Sequence, residues 1–267
     1  MKFKSLKTQG FLLFDIDGVI RDVTKSYRSA IKETVHQFGK WRPKTEDIDN
    51  LKLKGIWNND WDLSHELIKN TQQVKDGLID LPSREEIIKV FNNFYFGCDP
   101  NNCKSNWTGF INNENLLVDI QFFDKLTEKN ISYGFVSGAE RPSAKFILES
   151  RLGLNNPSLI AMEDAPEKPD PKGLISLAKK LVNEPLGQGI PPIGYLGDTI
   201  ADALTVKNAQ KIIPDQKFIF LGVAPPHLHK PNKKSAREIY ERNLIKAGAD
   251  IILKSTSEAI DRWPPKL

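Results

Sequence analysis

The chain has 267 residues, 39% of them apolar and 27% charged, with a formal net charge of +4. That length suits one large domain or a core with a smaller module, and the composition supports an ordinary packed interior. The charge excess is too mild and diffuse for nucleic-acid binding but suits an anionic substrate. The first apolar run is too short for a signal-peptide core and no stretch approaches a membrane span, so the sequence reads as cytoplasmic with no membrane partner.

The first expected element is a buried strand, Phe11 to Phe14. It runs directly into Asp15 and Asp17 in "DIDG". Ionised carboxylates are very costly to bury without partners, so their balance must be sought elsewhere in the chain. A helical pattern follows from Thr24 to Phe38, closed by Gly39. Residues 40–112 are rich in Trp, Asn, Asp and Lys and poor in β-branched runs. "DLSHELIKN" and "PSREEIIKVFNNFYF" read as helices there, with Ser83 and Glu86 forming a capping box in the second. An Asn/Gly-rich stretch holding Cys98 and Cys103 leads out. Two thiols alone cannot make a four-ligand zinc site; they read as two reduced thiols, with a small disulfide as the alternative.

From Leu116 the pattern changes. "LLVDIQFFDKLTEK" reads as a helix, "SYGFVS" as a strand, "RPSAKFILESRLG" as a helix and "SLIAM" as a strand. "KGLISLAKKLV" reads as a helix, "IGYLGD" as a strand and "TIADALTVKNA" as a helix, with "KFIFLGV" and "DIILK" as closing strands. Such alternation indicates an α/β fold with a parallel sheet. The expected organisation is a core of residues 1–22 and 113–267 with a small helical unit, 23–112, inserted after the first strand.

In such sheets function collects at the carboxyl ends of strands. The first strand delivers Asp15 and Asp17, which share a face where the chain is extended. The next core strand ends at Ser137 and Gly138, "SLIAM" is followed by Lys168 in "EDAPEKPDP", and "IGYLG" ends at Asp198 with Asp202 four residues on. This set suggests carboxylates held together by a divalent cation. Few hard oxygen ligands that share their shell with phosphate suit Mg²⁺. Lys168 and Ser137 would then meet a phosphoryl group, and Asp15 is placed as a nucleophile forming an aspartyl-phosphate. A calcium loop of EF-hand type is excluded, because counting from Asp15 puts Gly18 at position 4 and Ser26 at position 12.

The ordered motifs "DIDGV" (15–19), "VSG" (136–138), "KPDP" (168–171) and "GDTIAD" (197–202) resemble the haloacid dehalogenase superfamily of phosphohydrolases. The insert resembles the helical cap of the phosphoglycolate-phosphatase-like subfamily. The resemblance implies a three-layer Rossmann-like core and a phosphatase of a small phosphorylated metabolite. It implies that Asp15 attacks phosphorus and binds Mg²⁺. Asp17 would protonate the leaving group and then activate water, its backbone carbonyl meeting the metal. Backbone N–H groups near Ile16 and Asp17, with Ser137 and Gly138, would bind the phosphoryl group. Lys168 would offset the charge of Asp15 and phosphate, Asp198 would ligate the metal, and Asp202 would hold a metal-bound water or support Lys168. An acid at Asp17 favours phosphate esters over the dehalogenase and phosphonatase branches. Tyr27 stands where mutase members carry a histidine. A phosphomutase or phosphotransferase is the second reading, and a non-catalytic sensor of phosphorylated ligands the third.

Substrate choice is expected in the insert. In "KGIWNNDWDLSHE", Trp57 and Trp61 bracket Asn58, Asn59 and Asp60. Rings beside amides and carboxylates suit a sugar or polyol; the same pattern also fits a helix-packing loop. Lys52, Lys54 and Arg21 are candidates for a second anionic group on the substrate.

Overall fold

The computed structural model describes residues 8–52, 57, 59–98 and 107–265. In chain order it begins with β1 (Gly10–Phe14), β2 (Arg21–Asp22), α1 (Ser26–Gly39), α2 (Thr45–Lys52), α3 (Asp60–Lys69), α4 (Gln72–Lys75) and α5 (Arg84–Phe96). β3 (Asn115–Leu116), α6 (Ile120–Glu128), β4 (Ile131–Val136), α7 (Arg141–Lys145), β5 (Leu159–Ile160) and α8 (Lys172–Val182) follow. The chain closes with β6 (Ile193–Gly197), α9 (Ile200–Ile212), β7 (Phe218–Val223), α10 (Lys234–Ala247), β8 (Ile251–Leu253) and α11 (Ala259–Arg262). Two compact units result: Met1–Asp22 with Leu116–Leu267, and Val23–Asn115.

The first unit is built on a six-stranded sheet of order β5-β4-β1-β6-β7-β8. Its pairings are parallel. Every residue of β1 is buried, because helices cover both faces. Leu12 and Phe14 enter one core with Phe122, Phe123 and Ile147, whereas Phe11 and Leu13 enter the other with Leu174, Ala203 and Leu244. A strand covered on both faces needs a continuous apolar run, which is what "GFLLF" supplies. Phe14 meets Phe122 and Phe123 edge-to-face, with ring centroids 5.7 and 5.9 Å apart.

The order of the strands places the site. From β1 the chain builds β4 and then β5 on one side, and returns through α8 to β6 on the other. The sheet therefore changes direction at β1, and ligands of such sheets gather outside the carboxyl ends at that switch. The N–H of Leu117 donates to the carbonyl of Ile20 (2.8 Å), so the chain re-enters this unit beside its point of exit.

Several local features differ from the sequence reading. The helix expected from Leu116 starts at Ile120, because the Asp119 carboxylate caps it by accepting from the N–H of Phe122 (3.1 Å). The helix from Arg141 continues as a π-helix over Phe146–Arg151. The sequence reading gave no helix between the last two strands, where α10 runs for 14 residues. Its buried residue is Leu244, so its face carries too little apolar periodicity to be recognised.

The second unit is helical. Ala30, Ile31 and Val35 of α1, Leu63, Leu67 and Ile68 of α3, and Ile87 and Phe91 of α5 are buried. The expected capping box is formed: Ser83 Oγ accepts from the N–H of Glu86 (3.2 Å), and Glu86 Oε2 accepts from the N–H of Ser83 (2.8 Å). Tyr27 stacks on Tyr95 at 4.6 Å. Glu114 is buried and accepts from Ser26 Oγ (2.5 Å) and the Tyr95 hydroxyl (2.9 Å). Among the described residues, no helix is long and apolar enough to cross a membrane.

Phe14→Ala removes the ring at the centre of the aromatic cluster. It should lower unfolding stability by about 3–5 kcal/mol in urea titrations; a loss below about 1 kcal/mol would show that the cluster does not hold β1.

Candidate active site

The turn after β1 is wound tightly around one acceptor. The carbonyl of Ile16 receives the N–H groups of Val19, Ile20 and Arg21, at 3.3, 2.7 and 3.1 Å. The N–H of Gly18 donates to the Arg21 carbonyl at 2.9 Å. Gly18 has φ +76°, which glycine adopts freely. Its position is also sterically closed, since a Cβ there would lie 2.1 Å from Asp198 Oδ2. The loop thus packs its backbone directly against the acid at the end of β6.

Asp15 is 5% exposed. Its Oδ2 lies 3.0 Å from Lys168 Nζ, and its Oδ1 accepts from the N–H of Ile16 at 2.8 Å. That N–H, expected to face the phosphoryl group, is turned onto the aspartate's own oxygen. Lys168 Nζ also donates to Asp202 Oδ1 (2.7 Å) and to the hydroxyl of Tyr195 (3.0 Å). An ammonium has three N–H donors, and these three contacts take all of them.

Asp202 is fully buried and used at both oxygens. Oδ1 meets Lys168 and Tyr195, while Oδ2 accepts from the N–H (3.0 Å) and hydroxyl (2.6 Å) of Thr199, the N-cap of α9. Asp198 lies before that cap, outside the helix. One ligand atom from each of Asp15, Asp198 and Asp202 lies within 4.8 Å of the others. Asp17 stands outside this cluster: its Oδ1 is 2.6 Å from Arg21 Nε.

Charge explains what the site lacks. The four aspartates carry four negative charges when ionised. Among the described residues, the ion pairs with Lys168 and Arg21 offset two, leaving two. Burial raises the Asp15 carboxyl to about 7; Lys168 opposes this, and Asp202 and Asp17 add to it. Burial, then the charges of Asp202 and Asp15, push the Asp198 carboxyl well above its ordinary range. Burial alone would lower the Lys168 ammonium, but Asp15 and Asp202 more than reverse this and hold it well above its ordinary value. A buried, oxygen-only cluster with two unmet negative charges fits a hard divalent cation.

Ser137 and Gly138 follow β4, whose Phe135 pairs with Phe14. Ser137 Oγ accepts from the N–H of Ala139 (3.1 Å), which leaves the hydroxyl proton available for donation. A Cβ on Gly138 would meet nothing within 4 Å, so this strand end borders open space.

Other expectations are corrected. Arg21 does not present its charge to a substrate: it is 0% exposed and its guanidinium is paired with Asp17. Asn59 caps α3, its Oδ1 accepting from the N–H groups of Trp61 (2.9 Å) and Asp62 (3.2 Å). Trp61 packs edge-on against Phe91 and carries the guanidinium of Arg84 at 5.5 Å from its ring. Asp60 is in the first turn of α3, where its carbonyl accepts from Ser64 Oγ (2.7 Å). These contacts place Asn59, Asp60 and Trp61 in the packing of the helical unit. Trp57 is half-buried, and Lys54 and Asn58 lie outside the described residues.

Two tyrosines were missed. The Tyr195 hydroxyl donates to the Val136 carbonyl (2.9 Å) while accepting from Lys168, spanning β6 and β4. Burial and the charge of Asp202 push this phenol well above its ordinary range, so it stays a protonated donor. A tyrosine inside an apolar buried strand signals a hydroxyl in need of a partner, and "IGYLGD" carried that signal. The Tyr240 hydroxyl, from α10, donates to the Asp198 carbonyl (2.8 Å). Nothing in the local sequence marks it.

The family model of haloacid dehalogenase-like hydrolases matches residues 11–210. An imidazoleglycerol-phosphate dehydratase from Phytophthora nicotianae is 32% identical over 200 residues, covering 74% of this chain and 41% of that protein. The chain thus matches about two fifths of that relative's length. Among solved structures, phosphatase Tt82 from Thermococcus thioreducens is similar at a TM-score of 0.59 and 24% identity, covering 88% of this chain and 99% of that one. A phosphonoacetaldehyde hydrolase-like protein from Oleispira antarctica is similar at 0.65 and 14% identity, covering 97% and 94%.

Gly18→Ala forces a Cβ onto Asp198 and a strained backbone onto the turn. A loss of about 1–3 kcal/mol in unfolding stability is expected. Unchanged stability with an unmoved Asp198 in the variant's crystal structure would contradict this packing.

Proposed function

The chain belongs to the haloacid dehalogenase-like hydrolases, and from that premise we propose that it is a Mg²⁺-dependent phosphatase of a small phosphate monoester. The observation that carries the reading is the division of labour between two acids two residues apart. Asp15 is clamped by Lys168 inside the oxygen cluster, and Asp17 stands outside it with its carboxylate 28% exposed.

Asp15 attacks phosphorus, and the bond from phosphorus to the ester oxygen breaks. Asp17 gives its proton to the leaving alkoxide, which is too basic to depart well without one. Water then attacks phosphorus in the aspartyl-phosphate. Asp17 takes a proton from that water, the bond to Asp15 breaks, and phosphate leaves with both aspartates restored. Lys168 orients Asp15 and favours its ionised form for the attack, and receives the carboxylate again when water releases phosphate, while the Ser137 hydroxyl and the backbone at Gly138 hold phosphoryl oxygens. Mg²⁺, held by Asp15, Asp198 and the backbone carbonyl of Asp17, would neutralise phosphoryl charge and fix its orientation. Positioning and electrostatics carry most of such a rate.

The substrate class is a sugar, polyol or glycolate-like phosphate. The name of the Phytophthora relative adds imidazoleglycerol phosphate, itself a polyol phosphate, to the compounds worth testing.

Phosphate release from a panel of such esters should require Mg²⁺ and stop with EDTA. Asp15→Asn should lower it on the order of 10³-fold or more without unfolding the chain; substantial residual turnover would sink the proposal. Transfer to a second sugar with little free phosphate would favour the mutase, and binding without turnover the sensor. Cation affinity should depend on pH. With the Asp15 carboxyl at about 7 in the metal-free chain, a divalent cation must displace its proton at lower pH. Calorimetry should show Mg²⁺ affinity rising from about pH 5 through about pH 7, with protons released on the acid side. A flat profile would contradict the cluster as the cation site.

A further inference from the structure

Arg21 is one of the largest fully buried side chains among the described residues. A guanidinium in such a place is strongly unfavourable unless it is paired and hydrogen-bonded. Its Nε meets Asp17 Oδ1 at 2.6 Å. Backbone contacts tie the two residues into one turn: the N–H of Gly18 donates to the Arg21 carbonyl, and the N–H of Arg21 donates to the Ile16 carbonyl. The pair is asymmetric, with Arg21 at 0% exposure and the Asp17 side chain at 28%. The arginine therefore holds the carboxylate from behind, while the acid keeps an open side.

We propose that Arg21 is a positioning residue for Asp17, the proton donor and acceptor of the reaction. This rests on the phosphatase reading. A carboxylate on a surface turn rotates freely about two torsions, and proton transfer needs it within hydrogen-bond reach of the ester oxygen. Fixing Oδ1 on a buried, rigid guanidinium directs Oδ2 towards the leaving oxygen in the first step and towards water in the second. Arg21 touches no reacting atom. Its planar geometry makes the hold directional, which a lysine ammonium cannot reproduce.

The test compares kcat/KM for an alkyl phosphate and for p-nitrophenyl phosphate, whose leaving group departs without a proton. Arg21→Met should lower kcat/KM for the alkyl ester about 10- to 100-fold and for the aryl ester less than about 3-fold. Asp17→Asn should show the same selectivity, and adding Arg21→Met to it should cost nothing further, since both act through one group. Should the methionine variant fail to fold, Arg21→Lys carries the comparison, with the same selectivity and a smaller loss. Equal losses on both esters, or a loss that adds in full to that of Asp17→Asn, would assign Arg21 to folding alone and overturn the proposal. A wild-type chain that releases no phosphate from either ester would overturn the phosphatase reading and this inference with it. Wild-type activity with non-selective Arg21 variants would overturn this inference only.

Discussion

The site is organised around one ammonium group. Lys168 Nζ sits within 3.0 Å of acceptors on Asp15, Asp202 and Tyr195. These come from the end of β1, from α9 and from β6, so a single cation ties three elements together where the sheet changes direction. The interaction is strong because Asp15, Asp202 and Tyr195 are buried and the Lys168 side chain is only 15% exposed, so the charges are weakly screened. Without it, Asp15 would be a buried carboxylate at the end of an apolar strand, an arrangement the burial cost forbids. Tyr195 and Thr199 act through it. One hands the lysine's third proton an acceptor anchored to the Val136 carbonyl, and the other keeps Asp202 turned towards the lysine by capping α9.

A second constraint is the deliberate shortfall of positive charge. Lys168 and Arg21 offset two of the four aspartate charges, Lys168 through Asp15 and Asp202 and Arg21 through Asp17. Lys168 neutralises the interior of the cluster; Arg21 stands behind the acid at its margin. The Asp15 and Asp198 carboxyls are both pushed upward by burial. Gly18 and Tyr240 determine where Asp198 lies. The glycine permits the loop's close approach, and the tyrosine holds the aspartate's carbonyl. The proposed binding of a cation and of phosphate thus rests on the placement of backbone as much as on the choice of side chains.

The helical unit shows how the same residue types serve two purposes. Asn59 and Asp60 between Trp57 and Trp61 look like a polyol site when read along the chain. In three dimensions Asn59 satisfies the open N–H groups of α3 and Trp61 covers Phe91. Both jobs need an amide oxygen or a large flat ring, so residue type cannot separate them. The correction at Arg21 has the same origin. An arginine is usually read as a surface charge, and its burial beside Asp17 depends on how the turn after β1 folds back.

The sequence by itself determined the parallel sheet, the order of its motifs and the acids at Asp15, Asp17, Asp198 and Asp202. Apolar runs and their period are local properties, and strand-end chemistry follows each run directly. Only the tertiary structure decided which charges meet. Lys168 and Asp15 are separated by more than 150 residues, and the pairing of Lys168 with Asp202 and Tyr195 comes from sheet order. The hold of Tyr240 on Asp198 comes from a helix whose face has little apolar pattern. Such contacts arise where elements distant in the chain are brought together, and only folding fixes their distances.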